Sequence, residues 1–203
     1  VIVVGYGAEH VRELIGDEAT FVLQEEQLGT GHAVMQAREV AAAGRSYMPD
    51  RSAGTVLVLY GDTPLITVET LQRALAHHRE RGATITLLSF YTDDPTGYGR
   101  IVRDEQGTVT AIVEHKDATE EQRAIQECNS GIMFFDGPWL WESLDRLTLS
   151  PRGEYYLTDL PALAVAQGRA VLALVVDERE VMGINNRAQL AEASAILSAR
   201  CHS

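Results

Sequence analysis

The amino-acid sequence predicts an α/β protein built on a three-layer mixed sheet that carries an inserted β-hairpin. Its short apolar runs, rich in leucine and β-branched residues, are typical of strands buried on both faces. Up to Tyr91 these runs alternate with segments of helical periodicity, which indicates parallel βαβ units. From Asp93 onward the alternation stops, and two strand-like runs flank a glycine-containing turn, which predicts the hairpin.

In the first half of the chain, apolar runs predict strands, and apolar residues at helical spacing predict the helices between them. In the helix that follows the third strand, for example, Val68, Leu71 and Leu75 fall on one face. The predicted elements are a strand at 1–4, a helix at 8–16, a strand at 21–23, a helix at about 30–43, a strand from 55, a helix at about 68–81 and a strand at 83–91.

The second half is predicted to hold the hairpin and the remaining strands and helices. The hairpin strands, at 100–103 and 109–113, flank a turn that contains Gly107. Further along, the sequence predicts a polar helix at 118–127 and a strand at 131–135 with Asn129 at its entrance. It then predicts a helix from 138 to about 147, a helix through 160–166, a strand at 170–176 and an amphipathic helix from 186 to about 200. No repeat or linker interrupts the sequence, so we predict a single domain spanning residues 1–203.

The charge balance argues against a nucleic-acid partner. The chain has 29 acidic and 17 basic residues, a formal net charge of −12, whereas nucleic-acid binding relies on basic groups that neutralise phosphates. A small phosphorylated substrate stays compatible with this charge if a metal ion and local cations offset it. No apolar run approaches the roughly 20 residues that cross a bilayer. We therefore expect no membrane partner. The two cysteines have no metal or redox spacing, so we expect a reduced, cytoplasmic setting.

The stretch from Thr55 to Asp62 combines a buried strand with a polar end. In open α/β folds the carboxyl ends of parallel strands form the ligand-binding edge of the sheet. There Gly61 lets a ligand approach the backbone closely, and Asp62 offers a hard oxygen ligand. By itself the stretch fits an ordinary turn equally well, because Gly-Asp and Asp-x-Pro sequences favour turns.

A second polar stretch, QEEQLGTGH at 24–32, follows the strand at 21–23 and opens the next helix. Its glycines and threonine are expected to expose backbone N–H groups at the helix start, which suits a polar ligand or an anion. Gln24 and Gln27 each carry a donor and an acceptor, so they are candidates for reading the edge of a base. A site built on such paired contacts can reject a base that lacks the matching groups by a factor on the order of 10⁴. The alternative to a ligand-binding role is that this stretch is simply a capped helix after a glycine turn.

Asp62 and Asn185 are a candidate metal site. Asn185 follows the segment Val181–Ile184, beyond the last predicted strand, and precedes the terminal helix. A carboxylate and an amide oxygen from separate segments suit Mg²⁺, which keeps several waters and binds few protein oxygens besides substrate phosphates. Asparagine is also a common helix cap, a role that Asn186 can take in place of Asn185.

A third group of polar residues lies at strand ends around the hairpin. Gly99, Glu114 and Asn129 are natural partners for sugar hydroxyls or an acetamido group. Glu114 and Lys116 fit a solvated pair equally well, and such a pair contributes little to stability.

Four of the six histidines show no pattern typical of catalysis or zinc binding. His32 and His115 show no zinc spacing and no serine partner, and His77 and His78 fall on a helical stretch that we expect to be exposed.

Taken together and in order, several segments resemble the bacterial N-acetylglucosamine-1-phosphate uridyltransferase domain. They are LQEEQLGTGHA, LYGDTPLI, DDPTGYGRI, IVEHKDATEEQR, ECNSG, GEYYLTD and GINNR, and the match runs from Val1 to the terminal helix. In that family the domain is normally the amino-terminal half of a bifunctional enzyme that also acetylates glucosamine 1-phosphate. The resemblance implies a Rossmann-like nucleotidyltransferase fold of the glycosyltransferase-A-like kind.

The resemblance also implies roles for individual residues. Positions that match uracil contacts are Gln24, Gly29 and Thr30, with Gln27 close by. Positions that match contacts to ribose, sugar and metal are Tyr60, Gly61 and Asp62, and those that match contacts to N-acetylglucosamine are Gly99, Glu114 and Asn129. Asp62 is implied as the Mg²⁺ ligand, and Asn185 as a second ligand that also touches the substrate.

The implied reaction is attack of a phosphate oxygen of N-acetylglucosamine 1-phosphate on the α-phosphorus of UTP, which yields pyrophosphate and UDP-N-acetylglucosamine for cell-wall synthesis. No covalent enzyme intermediate is needed, because positioning and charge neutralisation by Mg²⁺ supply most of the catalysis. The full-length protein is implied to form a homotrimer through its carboxyl-terminal domain.

Two parts of the family pattern fall outside this sequence. The glycine-rich phosphate loop, with its arginine and following lysine, is expected ahead of Val1, and the acetyltransferase β-helix is expected after Ser203. We therefore expect this polypeptide alone to catalyse the uridyltransferase reaction slowly or not at all. Two other functions stay open: a related sugar-1-phosphate nucleotidyltransferase with another base or sugar, and a catalytically incomplete module that binds nucleotide sugars.

Overall fold

The computed structural model describes residues 1–44 and 54–201. The strands in these ranges are β1 (Ile2–Val4), β2 (Phe21–Leu23), β3 (Thr55–Val58), β4 (Ile85–Tyr91), β5 (Arg100–Arg103), β6 (Val109–Val113), β7 (Glu127–Asp136) and β8 (Val171–Val175). The helices are α1 (Ala8–Ile15), α2 (Thr30–Gln36), α3 (Arg38–Gly44), α4 (Val68–Glu80), α5 (Glu120–Arg123), α6 (Gly137–Ser143), α7 (Leu160–Ala166) and α8 (Arg187–Cys201). Among the described residues, no helix is long and apolar enough to span a bilayer.

These elements form two compact units. The first unit comprises Val1–Gly54 and Asp136–Leu160, and the second comprises Thr55–Phe135 and Pro161–Ser203. In the first unit β1 and β2 form a parallel two-stranded sheet. The prediction of one nucleotidyltransferase domain over the whole chain stays a prediction.

The second unit is built on a six-stranded mixed sheet with the order β6-β5-β7-β4-β8, and β3 also pairs with β7. Strand β4 runs parallel to β8 and antiparallel to β7. Strand β5 pairs antiparallel with both β6 and β7, so the hairpin is an integral part of the sheet. The predicted mixed sheet with an inserted hairpin is confirmed.

The core of the second unit lies around β4, which is buried along all but its last residue. Such a strand needs apolar side chains on both faces, which is why its sequence is a nearly continuous apolar run. Leu88 and Phe90 of β4 pack with Ala74 of α4 and Phe134 of β7. This core holds the strand ends that carry the polar residues described below.

Strand β7 is longer than the sequence predicted. It covers Glu127–Asp136, so Asn129 lies inside the strand and not at its entrance. Its polar residues are buried because neighbouring strands satisfy them: Ser130 Oγ donates to Leu88 O at 2.8 Å, and Ser89 Oγ donates to Glu127 Oε1 at 2.7 Å. Apolar patterning misses a strand whose buried side chains are paired polar groups.

Two helix predictions were also wrong in extent. The helix predicted at 30–43 is divided into α2 and α3 at Ala37, whose N–H bonds Val34 O in a tighter turn. The helix predicted at 118–127 is reduced to Glu120–Arg123, where Thr119 and Gln122 form a capping box. Residues 124–126 form a turn and a short connection, and Glu127 already belongs to β7, because the ladder with β4 extends to it.

His78 is buried, and the expectation that it lies on the surface was wrong. It is 4% exposed, and its Nδ1 lies 3.0 Å from Thr86 Oγ1 of β4. The side chain faces the sheet because His78 lies four residues after Ala74, on the buried face of α4. A buried histidine that is hydrogen-bonded in this way is a structural residue.

Candidate active site

Asp62 and Asn185 approach each other at Gly183. The backbone fixes this approach, because Ile184 N donates to Asp62 O at 2.9 Å. A β-carbon built on Gly183 would lie 3.5 Å from Asn185 Nδ2 and 3.8 Å from Asp62 Oδ2. The loop after β3 and the segment before α8 thus bring one carboxylate and one amide to the same place.

Helix α8 is capped by Asn186, as its position predicted. Its Oδ1 accepts a hydrogen bond from Gln189 N at 3.0 Å, the bond expected of an N-cap asparagine. Asn185 is held separately through its backbone, whose N–H donates to Gln189 Oε1 at 2.7 Å. The Asn185 side chain is therefore not used for capping.

The donor set at Asp62 and Asn185 fits a small divalent cation. A carboxylate oxygen and an amide oxygen are hard ligands, and Mg²⁺ takes few of them from protein. An amide exchanges its oxygen and nitrogen by a half-turn, so Asn185 can present Oδ1 to a cation. No group of three or more histidine, cysteine, aspartate or glutamate side chains suited to a metal occurs among the described residues. A cation here would therefore take further ligands from water or substrate.

A cavity of about 440 Å³ lies beside this pair, between the loop after β3 and helix α8. Its lining is mostly apolar and comprises Gly61, Asp62, Pro64, Ile184, Leu190, Ala193, Ser194 and Leu197. Within this lining, Asp62 is the charged group. The cavity therefore offers no cationic side chain to a phosphate.

Glu114 and Asn129 converge on Gly99, and we call these three residues the Gly99 cluster. A β-carbon on Gly99 would lie 3.7 Å from both Glu114 Oε1 and Asn129 Cβ, and 3.0 Å from Ile112 Cγ2. Asn129 N donates to Gly99 O at 2.8 Å, which ties the loop before β5 to β7. A side chain at Gly99 would thus press on Ile112 and lie against both Glu114 and Asn129.

Arg100 holds the backbone around the Gly99 cluster. Its side chain is 1% exposed, and its guanidinium donates to Tyr98 O and to Arg123 O, the latter at 3.4 Å. A second contact joins Arg100 Nη2 to His115 Nδ1 at 3.3 Å. Because arginine only donates, Nδ1 of His115 is the acceptor and the ring hydrogen lies on Nε2. Arg100 therefore fixes residues that directly precede Gly99 and follow Glu114.

Tyr60 and Gly131 link the loop after β3 to β7. Gly131 has φ of 84°, and a β-carbon there would overlap carbons of the Tyr60 ring. Gly131 N donates to Asn129 Oδ1 at 3.2 Å, so the glycine also orients the side chain of Asn129. This contact occupies Oδ1, which leaves the donors of Nδ2 for a ligand.

In the first unit, the segment that contains Tyr155 holds the turn at Gly29, Thr30 and Gly31. Tyr155 O accepts from Gly31 N at 2.8 Å, and Thr30 Oγ1 accepts from Leu157 N at 3.1 Å. A β-carbon on Gly29 would lie 2.8 Å from Tyr155 O. The glycines thus allow another stretch of backbone to approach, and the N–H of Gly31 is not exposed for an anion as the sequence had suggested.

Gln24 and Gln27 occupy different surroundings in the first unit. Gln24 follows β2, and its Nε2 lies 3.1 Å from Gly29 O and 3.1 Å from His32 Nδ1. Gln27 is exposed, and its Nε2 would lie 3.0 Å from a β-carbon on Gly5. Gln24 is therefore the more constrained of the two predicted base-reading residues.

The predicted site residues fall into three groups. The second unit brings together Asp62 with Asn185, and separately assembles the Gly99 cluster with Tyr60. The first unit holds Gln24, Gln27, Gly29 and Thr30. Several supporting residues received no role from the sequence: Gly131, Arg100, Tyr155 and His32. All four lie inside segments that carry the family resemblance, and that was the signal available for them.

Comparison with known proteins places the chain in a family. Residues 1–180 match the family model described as nucleotidyl transferase. The chain belongs to the nucleotidyl transferase family.

The similar curated proteins include several named bifunctional protein GlmU. The one from Heliobacterium modesticaldum is 49% identical over 98% of this chain and 42% of its own length. Those from Pseudomonas putida and Enterococcus faecalis are 53% and 45% identical, over 94% and 98% of this chain and 40% and 42% of their own lengths. The chain therefore spans less than half the length of these relatives, and they confirm the resemblance found in the sequence.

A solved structure shows the same fold. A putative glucose-1-phosphate thymidylyltransferase from Bacillus anthracis, in complex with a sucrose, matches with a TM-score of 0.70 over 96% of this chain and 74% of that chain. Its sequence identity is 17%, so the likeness concerns the fold alone. The predicted Rossmann-like nucleotidyltransferase fold is confirmed.

Proposed function

We propose that the natural protein containing this chain transfers UMP from UTP to N-acetylglucosamine 1-phosphate, giving UDP-N-acetylglucosamine and pyrophosphate. The observation that carries the proposal is the Gly99 cluster, where Glu114 Oε1 and Asn129 Cβ both lie 3.7 Å from the place that a β-carbon on Gly99 would take. Relatives named bifunctional protein GlmU, at 45–53% identity, support it.

The Gly99 cluster matches the chemistry of an N-acetylated sugar. Glu114 would accept hydrogen bonds from sugar hydroxyls. Asn129 Nδ2 would donate to the acetamido carbonyl, since its Oδ1 already accepts from Gly131 N. A sugar that lacks the acetamido group would leave this buried amide unpaired, because Asn129 is 8% exposed. Unpaired buried polar groups are costly, so we expect strong discrimination.

Asp62 and Asn185 would hold Mg²⁺ at Gly183. The ion would supply charge neutralisation for the phosphate groups that react. Asp62 contributes the negative charge and Asn185 a neutral oxygen, an arrangement that leaves most of the coordination sphere to water and phosphate.

Tyr60 and Gly61 would contact the nucleotide sugar between the Gly99 cluster and the proposed metal ligands Asp62 and Asn185. Gly61 precedes Asp62 directly, and Tyr60 packs on Gly131, two residues beyond Asn129. Positioning is the catalytic contribution that these contacts support, because the phosphate oxygen of the sugar substrate is itself the nucleophile.

Gln24, Gly29 and Thr30 would bind uracil, with Gln27 beside them. Gln24 is positioned by the first unit through Gly29 O and His32. A constrained amide binds a base more tightly than a mobile one, because less conformational freedom is lost on binding.

The test is an activity assay on the natural protein that contains this chain. With Mg²⁺, UTP and N-acetylglucosamine 1-phosphate, we expect release of pyrophosphate and formation of UDP-N-acetylglucosamine. The assay is repeated with dTTP, and with glucose 1-phosphate and glucosamine 1-phosphate as sugar substrates. We expect each replacement to reduce kcat/KM by at least about tenfold, the effect of one lost hydrogen bond of ~1.4 kcal/mol.

A second nucleotidyl transferase activity is supported by the fold. The structural neighbour is named a putative glucose-1-phosphate thymidylyltransferase, and it shares the fold at a TM-score of 0.70. A preference for dTTP with glucose 1-phosphate would establish this alternative. Calorimetric binding of UDP-N-acetylglucosamine without turnover by the natural protein would instead indicate a binding module.

A further inference from the structure

Two contacts, with Gly29 O and with His32, favour one orientation of the Gln24 amide. Its Nε2 lies 3.1 Å from Gly29 O, a carbonyl oxygen that only accepts hydrogen bonds. Rotating the amide by a half-turn would place Oε1 against Gly29 O and oppose two acceptors. The contact with Gly29 therefore favours nitrogen on that side and uses one amide hydrogen.

The second amide hydrogen fixes the tautomer of His32. Gln24 Nε2 also lies 3.1 Å from His32 Nδ1. A hydrogen on Nδ1 would oppose two donors, so neutral His32 carries its hydrogen on Nε2 and accepts through Nδ1. His32 Nε2 lies 3.0 Å from Gln36 Nε2. With the hydrogen on His32 Nε2, the Gln36 amide must be turned by a half-turn so that its Oε1 accepts this hydrogen.

The histidine ring is itself held in place. Helix α2 carries both His32 and Gln36, four residues apart on one face. The ring stacks on Tyr155 with a centroid distance of 6.4 Å and an interplanar angle of 29°. Tyr155 in turn bonds the backbone of Leu28 and Gly31 on both sides of the turn. The orientation of Gln24 thus depends on a chain of contacts within the first unit.

We propose that His32 is a positioning residue that selects the base by fixing the amide of Gln24; the proposal rests on the proposed function. Gly29 and His32 use the nitrogen of the amide, and Oε1 is the atom that Gln24 offers to a ligand. Oε1 only accepts, so it pairs with a base that presents a ring N–H. Uracil carries a hydrogen on N3, whereas N3 of cytosine is an acceptor. His32 therefore favours UTP over CTP without touching the nucleotide.

The tautomer is measured first, by ¹⁵N-detected NMR of histidine-labelled protein without substrate. Long-range couplings to the ring protons distinguish a protonated Nε2 from a protonated Nδ1, and a His32→Asn variant assigns the signal. We expect the Nε2–H form for His32. A predominant Nδ1–H form would overturn the proposal, because that tautomer cannot accept from Gln24.

Base selectivity is measured next, as kcat/KM for UTP and CTP in the natural protein that contains this chain. His32→Phe keeps a ring against Tyr155 but removes the acceptor, and we expect the UTP/CTP ratio to fall about tenfold. His32→Asn places an amide oxygen near the position of Nδ1, and we expect it to recover most of the ratio. The KM for the sugar phosphate should stay unchanged in both variants. If His32 had a merely structural role, both variants would alter the UTP/CTP ratio and the KM for the sugar phosphate together.

His10→Phe is the matched control, because His10 is an exposed histidine on α1 of the same unit. It should leave the ratio unchanged. If His32→Phe keeps the wild-type ratio, or if His32→Asn fails to recover it while remaining folded by circular dichroism, the proposal is wrong. Failure of the proposed function is distinct: the unaltered protein would then not use UTP at all, while the NMR measurement would still report the tautomer of His32.

Discussion

The ring of Tyr60 lies directly against Gly131, so closely that a β-carbon at Gly131 would overlap the ring. Gly131 also adopts a left-handed backbone conformation, with φ of 84°. Both features make glycine necessary at this position of β7. The contact joins the loop that carries Asp62 to the strand that carries Asn129.

Gly131→Ala should therefore destabilise the protein and disturb the site. Positive φ costs about 1 kcal/mol for alanine, and the overlap with Tyr60 adds roughly 1–3 kcal/mol. We expect the free energy of unfolding, measured by urea denaturation, to fall by about 2–4 kcal/mol. Gly107→Ala is the matched control, because Gly107 has φ of 81° but no atom within 4 Å of the place that a β-carbon would take. Equal losses for the two variants would show that Tyr60 does not pack on Gly131.

Asp62→Asn should abolish metal-dependent turnover and leave the fold intact. The exposed carboxylate bears the negative charge at Gly183, and its loss removes the charged ligand proposed for Mg²⁺. We expect kcat to fall by at least about 100-fold, the scale seen when a group that stabilises the transition state is removed. Pyrophosphate release in the natural protein is the measurement, and the thermal midpoint checks the fold.

The exchange of the two ligands provides a sharper test of this pair. Combining Asp62→Asn with Asn185→Asp restores one carboxylate and one amide at the same place, so we expect partial recovery of turnover. Asp93→Asn, at an exposed carboxylate in the same unit, should have no effect. Near-normal activity of Asp62→Asn alone would exclude the proposed metal site.

Local sequence signals predicted some elements correctly because their causes are local. The hairpin of β5 and β6 has the predicted bounds, since Asp104 Oδ1 accepts from Thr108 N and Gly107 supplies the positive φ of the turn. Asn186 was predicted as the cap of α8 for the same reason. Such contacts join residues that are close in sequence, and residue type alone indicates them.

Other features depend on contacts between distant segments and were not predictable from patterns. The extent of β7 depends on Leu88 and Ser89 of β4, which satisfy its polar side chains. The turn at Gly29 is held by Tyr155, more than 100 residues away. The family resemblance located both segments, but it did not reveal that the glycine accommodates protein backbone.

Cys128 should resist alkylation in the folded protein. Burial in the core raises the pKa of its thiol to about 11, although the nearby Arg100 acts in the opposite direction. At pH 8 only about one thiol in a thousand would be ionised, and the thiolate is the reactive form. With Cys201 replaced by serine, iodoacetamide labelling followed by mass spectrometry should be slow for the native protein and complete in urea. Rapid labelling of native protein at pH 8 would contradict the burial of this thiol.

Buried Glu127 and partly exposed Arg103 form an ion pair whose stabilisation should depend on pH. Arg103 donates through Nε and Nη2 to the two carboxylate oxygens at 2.7 and 2.6 Å, and Ser89 adds a third hydrogen bond. Burial disfavours the charged form of Glu127, but the hydrogen bonds from Arg103 and Ser89 outweigh it and lower the pKa from its ordinary value of 4.5. A lowered pKa in the folded state means that the stabilisation is complete above about pH 4.5 and is lost as the pH falls through the folded-state pKa.

Glu127→Gln should remove this pH-dependent stabilisation. The glutamate side chain is 5% exposed, so we expect the variant to lose about 2 kcal/mol of unfolding free energy at pH 7. The difference from wild type should shrink as the pH falls below about 4.5, because the pKa of Glu127 is lowered in the folded state and the stabilisation is lost as the pH approaches it. Asp145→Asn is the matched control, because Asp145 makes a similar two-bond pair with Arg38 but is 69% exposed, and its loss should cost less than about 1 kcal/mol. A difference for Glu127→Gln that stays constant from pH 7 to 3 would show that the carboxylate charge does not stabilise β5 against β7.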